Sequence, residues 1–253
     1  MNPAPRSSPP APRGVLITGG SRGLGAALVA AYARTGAAVV AVARHAGPLE
    51  ATLAPLRAEG LDVHGIVADL GDKSAIHPLA ARAAALVGPI DVLVHNASTL
   101  GPLPLRPLLD TECEDLDAVL QTNLVGPFRL SRILGGHMAV TGHGLIVHVS
   151  SDAAINGYPG WGAYGVSKAA LDQLSRTFAA ELAAHGVRVL SVDPGEMDTQ
   201  MHADAVPDAD RSVLARPEAV AARLLTLLDA QDTWQTGGRI ELATLPARIG
   251  GAA

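Results

Sequence analysis

The sequence predicts one α/β domain: a doubly wound parallel sheet of about seven strands with helices on both faces. Three observations lead there. Short apolar runs recur between residues 14 and 245, separated by longer Ala- and Leu-rich segments of helical character. The first apolar run opens directly into a glycine-rich turn that leads a helix. Most chemically distinctive residues stand just after an apolar run, at a strand's carboxyl end, where an open parallel sheet binds its ligands.

Composition supports a substantial core and narrows the function. Of the 253 residues 48% are hydrophobic but only 3% aromatic, so Ala, Val, Leu and Ile must build the interior. A net charge of −5 with no Lys/Arg run argues against nucleic acid as the main partner. No apolar stretch approaches the ~20 residues that span a bilayer, and no secretory segment is recognisable. The single cysteine, Cys113, excludes an internal disulfide and fits a reducing compartment. Its neighbours Glu112, Glu114 and Asp115 disfavour a thiolate, so it is given no catalytic role. A soluble, cytoplasmic protein is expected. Residues 1–13, with five prolines and no hydrophobic period, read as a disordered tail ahead of a domain spanning 14–253.

Gly14–Thr18 reads as a buried strand. It runs into Gly19-Gly20-Ser21-Arg22-Gly23-Leu24-Gly25 and then an Ala-rich helix closed by Gly36. Glycines allow a tight turn and close backbone approach, and a helix N-terminus attracts pyrophosphate, so this is a dinucleotide seat of Rossmann type. A second strand, 37–43, ends at Arg44. NAD-preferring folds place an Asp or Glu about 20 residues past the glycines. Here the chain reads Val42-Ala43-Arg44, without a carboxylate. Arg22 and Arg44 can clamp a 2′-phosphate, or they are two solvated surface arginines. The missing acid makes NADP(H) the expected cofactor in preference to NAD(H).

A helix over 49–59 and a strand over Val63–Val67 lead to Asp69-Leu70, where Asp69 either faces the cleft or caps the next helix. That helix covers Lys73–Val87, and a strand over Ile90–Val94 delivers His95-Asn96-Ala97-Ser98. After a proline-rich loop a long helical segment is expected over Cys113–His137. It contains Thr122-Asn123-Leu124; Asn is a poor helix former, and Pro127 implies a local kink.

A fifth strand, Leu145–Val149, ends in Ser150-Ser151. Tyr164 follows Ser151 by thirteen residues, and Lys168 stands four further on. On a helix the last two share a face. An ammonium beside a phenol favours phenolate, bringing a group of reference pKa ~10 toward neutrality. A serine hydroxyl at the same spot can hydrogen-bond a carbonyl or alcohol oxygen. The helix runs to about His185, then a strand over Val187–Val192 leads to Asp193-Pro194-Gly195. Residues 200–215 read as polar and irregular; Pro217 opens a helix to about Ala230, and 237–242 supplies a last strand.

Tyr164-Gly165-Val166-Ser167-Lys168 with Ser151 upstream, the loop Thr18-Gly19-x-x-x-Gly23-x-Gly25, and Asn96-Ala97 together resemble the short-chain dehydrogenase/reductase family. The resemblance covers nearly all of residues 14–245. It implies transfer of the 4-pro-S hydride of NADPH to a carbonyl carbon, with Tyr164 donating the proton and Ser151 polarising the oxygen. Lys168 would hold the nicotinamide ribose and lower the tyrosine pKa. Asn123 would carry a proton-relay water, unless it is a structural Asn. By the same resemblance the cofactor rests on the turn Gly19, Ser21, Arg22, Gly23, Leu24 and Gly25, with Arg44 beside it. Asp69 and Leu70 meet the adenine, and Asn96 and Ala97 line the nicotinamide side with Tyr164 and Lys168. Pro194, Gly195, Met197 and Thr199 pass the nicotinamide ring. His95 and Ser98 depart from the family's Asn and Gly, and Met197 from its β-branched residue.

For the substrate, Tyr158 and Trp161 can line the pocket mouth with Glu196, Met201 and His202 opposite, or Trp161 simply packs the helix start. An aromatic, weakly acidic mouth suits a neutral, bulky carbonyl compound or its alcohol. Other readings are an NADP-binding regulator without catalysis and a sepiapterin-like pterin reductase, which carries a comparable Trp. A metal hydrolase lacks a three-ligand cluster around His137 and His143. A sugar-nucleotide epimerase would have a separate substrate domain. Relatives associate through the two long helices, so a homodimer or homotetramer is expected by analogy.

Overall fold

The structure, a computed structural model, describes residues 14–246. The proline-rich segment expected to be disordered lies outside the described residues. Seven parallel strands form one sheet: β1 Gly14–Thr18, β2 Ala38–Ala43, β3 Val63–Val67, β4 Val92–His95, β5 Gly144–Val149, β6 Val187–Asp193 and β7 Arg239–Glu241. Their order is β3-β2-β1-β4-β5-β6-β7. The chain reverses direction across the sheet between β1 and β4, which opens a crevice at their carboxyl ends.

Because side chains alternate along a strand, each strand feeds two cores. Val15, Ile17, Val39, Val94 and Val147 point to one face, where helices α1 (Gly23–Arg34), α2 (Ala46–Ala58) and α8 (Pro217–Asp229) cover them with Leu28, Leu53 and Leu224. Leu16, Val40, Leu93, Ile146 and Val189 point to the other. There α3 (Lys73–Val87), α5 (Gly126–Thr141) and α6 (Gly162–Leu182) bring Ile76, Leu130 and Ala179. Leu16, Ile17, Leu28, Leu53, Leu93 and Ile146 are wholly buried, each worth about 1.5–3 kcal/mol of apolar transfer. Among the described residues no helix is long and apolar enough to cross a membrane.

Two segments differ from expectation. The helix expected over Cys113–His137 is broken: α4 covers Cys113–Leu120, a π-helical stretch covers Gln121–Val125, and α5 runs on to Thr141. The widened turn lets Asn123 face inward, and Pro127 sits in the first turn of α5, where its missing N–H costs little. Residues 200–215 are not irregular throughout. Thr199 accepts a hydrogen bond from the His202 amide at 3.2 Å and caps a short helix, α7 (Gln200–Ala205). Polar composition had concealed a local cap.

Candidate active site

A cleft of about 1380 Å³ lies along the strand ends, walled on one side by the β1–α1 turn and on the other by residues after β5 and β6. The turn is built for close approach. Gly19 has φ of 70°, and a Cβ on Gly25 would run into the Gly19 carbonyl and the Asn96 amide. Gly25 itself does not reach the cleft wall, so its expected place as a cofactor contact is corrected to helix–turn packing. Asn96 holds the turn from below, its Nδ2 donating to the Thr18 carbonyl at 3.0 Å and the Gly19 carbonyl at 3.2 Å.

The N-terminus of α1 carries no side-chain cap and no acid in its first turn. Its first amides therefore keep their partial positive charge for an anion. Ser21, Arg22, Gly23 and Leu24 line this end of the cleft, as do Arg44 after β2 and Asp69 and Leu70 after β3. Among the described residues neither Arg22 nor Arg44 is paired with a carboxylate. Asp69 accepts from the Gly71 amide at 2.9 Å, while Asp72 caps α3 through Ser74, so the capping alternative for Asp69 falls away. An uncapped helix end, a close glycine turn and two free guanidinium groups fit the pyrophosphate and phosphorylated ribose of a nicotinamide dinucleotide.

At the other end Ser151, Tyr164 and Lys168 meet on the cleft wall with Asn96, Ala97, Pro194 and Gly195. Met197 and Thr199 continue that wall, and Thr199 stands opposite Gly23. Tyr164 and Lys168 are both buried, and the lysine Nζ lies 5.5 Å from the phenol ring centre. Lys168 donates to the Val149 carbonyl at 2.7 Å. Burial pushes the lysine down to about 8, an effect that Asp172 and Asp193 oppose. Burial pushes the Tyr164 phenol up to about 12, the Ser151 hydroxyl opposes the rise, and the charges of Asp193 and Asp152 add to it.

Burial outweighs the other influences on the phenol, and the Lys168 amine, itself desolvated, gives one of its protons to Val149. Ser98 was singled out in the sequence only as a departure from a glycine; its hydroxyl is buried near the phenol and has no hydrogen-bond partner among the described residues.

Asn123 is buried and off the cleft wall. Its Oδ1 accepts from the Thr99 amide at 2.8 Å, and its Nδ2 donates to the Thr99 carbonyl at 2.9 Å and to Ser167 Oγ at 3.0 Å. The side chain is thus occupied in joining the π-helical stretch to the β4 loop and α6. His95 stacks on His148 at 4.9 Å, and each hydrogen-bonds a buried serine, Ser131 and Ser175, at 2.8 Å. His95 is a core residue bonded through Nε2 alone, its buried Nδ1 lacking a partner among the described residues, with no opening to the cleft.

At the mouth, Trp161 packs edge-on against Tyr164 at 5.8 Å and clusters with Leu100, Leu105 and Met201. It both starts α6 and lines the cleft, joining the two sequence readings. Tyr158 donates to Asp152 at 2.7 Å, and Asp152 also accepts from Ser151 at 3.0 Å. Glu196 is exposed, with His202 at 3.7 Å. Asp152 went unnoticed in the sequence, although its place directly after Ser151 was a usable signal.

The fold and the cleft define a dinucleotide-binding α/β protein. A profile of the short chain dehydrogenase family matches residues 13–210. Over 204 residues the chain is 37% identical to carbonyl reductase (NADPH) 2 of Sus scrofa, covering 80% of this chain and 76% of that one. Over 195 residues it is 32% identical to gluconate 5-dehydrogenase of Gluconobacter oxydans, covering 77% and 75%. A short chain dehydrogenase from Shigella flexneri, solved with NADP, superposes with a TM-score of 0.84 at 28% identity, covering 91% of this chain and 97% of that one. The chain belongs to the short-chain dehydrogenase/reductase family, oxidoreductases that act on CH–OH and C=O groups with a nicotinamide cofactor.

Proposed function

We propose that the protein is an NADP(H)-dependent oxidoreductase that interconverts a neutral ketone or aldehyde with its alcohol. The observation that carries this reading is the convergence of Ser151, Tyr164 and Lys168 on the cleft whose far end holds Arg22 and Arg44, neither paired with a carboxylate among the described residues. The nicotinamide, when bound, supplies or accepts the hydride. Tyr164 gives its phenolic proton to the carbonyl oxygen in reduction and takes it back in oxidation. Ser151 donates a hydrogen bond to the same oxygen, stabilising the charge that develops there. Lys168 holds the nicotinamide ribose with the donors not given to Val149 and, as a positive charge near the phenol, favours phenolate.

Asp152 and Glu196 at the mouth, with Tyr158, Trp161 and Met201 around them, disfavour an anionic substrate and accept an apolar or hydroxylated one. The NADPH name of the pig relative and the NADP in the Shigella structure are in keeping with the cofactor choice. A cytoplasmic homo-oligomer is part of the same reading. Phe128 on α5, 42% exposed, and Val166 on α6, 52% exposed, offer an apolar face for association. The test is an NADPH-oxidation screen across neutral ketones and aldehydes, repeated with NADH. Turnover with NADPH favoured supports the proposal; no turnover with any carbonyl defeats the enzymatic reading, and equal use of NADH defeats the cofactor reading.

A further inference from the structure

The mechanism above makes no use of a largely enclosed cation on the edge strand. Arg239, in β7, has a side chain only 13% exposed and reaches four acceptors. Its Nε donates to Asp172 at 3.0 Å, its Nη1 to Glu241 at 2.8 Å, and its Nη2 to Asp193 at 2.9 Å and to the Ser151 carbonyl at 3.0 Å. Each acceptor belongs to a different part of the candidate site. Ser151 itself supplies one of them. Asp172 lies one helical turn after Lys168 on α6 and also accepts from Ser191. Asp193 ends β6, and its other oxygen accepts from the Gly195 amide at 3.0 Å, fixing the Pro194–Gly195 turn. β7 pairs Arg239 with Ser191 and Glu241 with Asp193, so the register itself delivers the guanidinium to this point.

We propose that Arg239 is a positioning residue that holds the Ser151 main chain, the Lys168-bearing turn of α6 and the Pro194–Gly195 turn in one frame. The assignment rests on the reading of Ser151, Tyr164 and Lys168 as the proton-transfer set. A fork of planar donors suits this task, because one group meets three directions at once with fixed angles. It also sets the local charge. The Asp172 and Asp193 side chains are 3% and 8% exposed, and two buried carboxylates need a buried cation.

The charges facing Tyr164 are Lys168 from its own helix, Asp152 from the β5 end and Asp193 from the β6 end. Those facing Lys168 are Asp172, Asp193 and the neutral pair His95 and His148. Removing Arg239 leaves the carboxylates uncompensated, which disfavours phenolate. The pH at which Tyr164 ionises therefore rises, and the alkaline-favoured oxidation limb moves the same way.

The test compares Arg239→Met and Arg239→Lys with wild type. It measures kcat and KM against pH for the carbonyl found in the screen, NADPH binding by fluorescence, and Tyr164 ionisation by ultraviolet difference against Tyr164→Phe. With three tyrosines in the chain, the Tyr164 signal can be isolated. For Arg239→Met we expect kcat about 10- to 100-fold lower with NADPH affinity near wild type, and the Tyr164 midpoint raised by about one unit. Arg239→Lys restores the midpoint but not kcat, since an ammonium cannot hold all four acceptors.

A folded Arg239→Met with an unmoved midpoint and near-normal kcat overturns the proposal. If Arg239→Met does not fold, Arg239→Lys decides: wild-type kcat overturns the proposal, and reduced kcat at an unchanged midpoint supports it. If wild type turns over no carbonyl, the enzymatic reading has failed, and the Tyr164 titration alone still judges Arg239.

Discussion

Tyr164 starts from a protonated, buried state near 12, the right form for an acid but a poor one for a base. Its replacement isolates the proton step. Tyr164→Phe should lower kcat by about 10²- to 10⁴-fold while NADPH binding, followed by cofactor fluorescence, stays close to wild type. A near-normal rate in that variant removes Tyr164 from the chemistry. At the far end of the cleft, Arg44 is exposed and, among the described residues, without a carboxylate partner. A charge-assisted hydrogen bond contributes about 1.5–3 kcal/mol, so Arg44→Ala should weaken NADPH about 10- to 100-fold and NADH little. Titration with both cofactors checks this, and equal losses reject the phosphate clamp. Tyr164, Lys168 and both arginines could be picked out by spacing alone. Arg239 could not, because its partners are distant in the chain: Arg239 and Ser151 are 88 residues apart.

Among the elements, the π-helical stretch Gln121–Val125 shows how a poor helix former is accommodated. Asn123 gives up regular helix geometry and gains three hydrogen bonds that tie the stretch to Thr99 and Ser167. Asn123→Leu leaves those partners short of bonds inside the protein, each worth about 1–3 kcal/mol. We expect urea denaturation to show a loss of about 3 kcal/mol, the sum of partial penalties. A loss no larger than a typical surface change, within about 0.5 kcal/mol, rules out this joining role. The kink was legible in the sequence from Asn123 and Pro127, whereas the π-turn was not, because its extra residue appears only when the carbonyls are paired off.

Across the whole molecule, the stacked histidines make the interior sensitive to acid. Burial first, and then repulsion from neighbouring positive charge, holds His95 well below its usual range and His148 down to about 3. A base neutral in the fold but protonated when unfolded gives stability that is complete above the unfolded pKa of ~6.5. It is lost as pH falls from there toward about 3. Stability by chemical denaturation should therefore drop between pH 7 and 5, by on the order of 2 kcal/mol per histidine. His148→Gln should flatten that drop, and an unchanged pH dependence in the variant assigns the acid loss to other groups.

Local order alone determined much of this protein. A strand leading to glycines and a helix, apolar runs at regular intervals, and a Tyr four residues before a Lys are short-range patterns, so the parallel sheet and the central site residues were readable along the chain. Tertiary structure alone decided what depends on groups far apart in sequence. It placed Gly25 in packing instead of the cleft, tied Asn123 to Thr99 and Ser167 in a buried joint, kept the Tyr164 phenol high and gathered four acceptors around Arg239. Burial and pairing set those outcomes, and both are properties of the surroundings that a residue's neighbours in the chain do not specify.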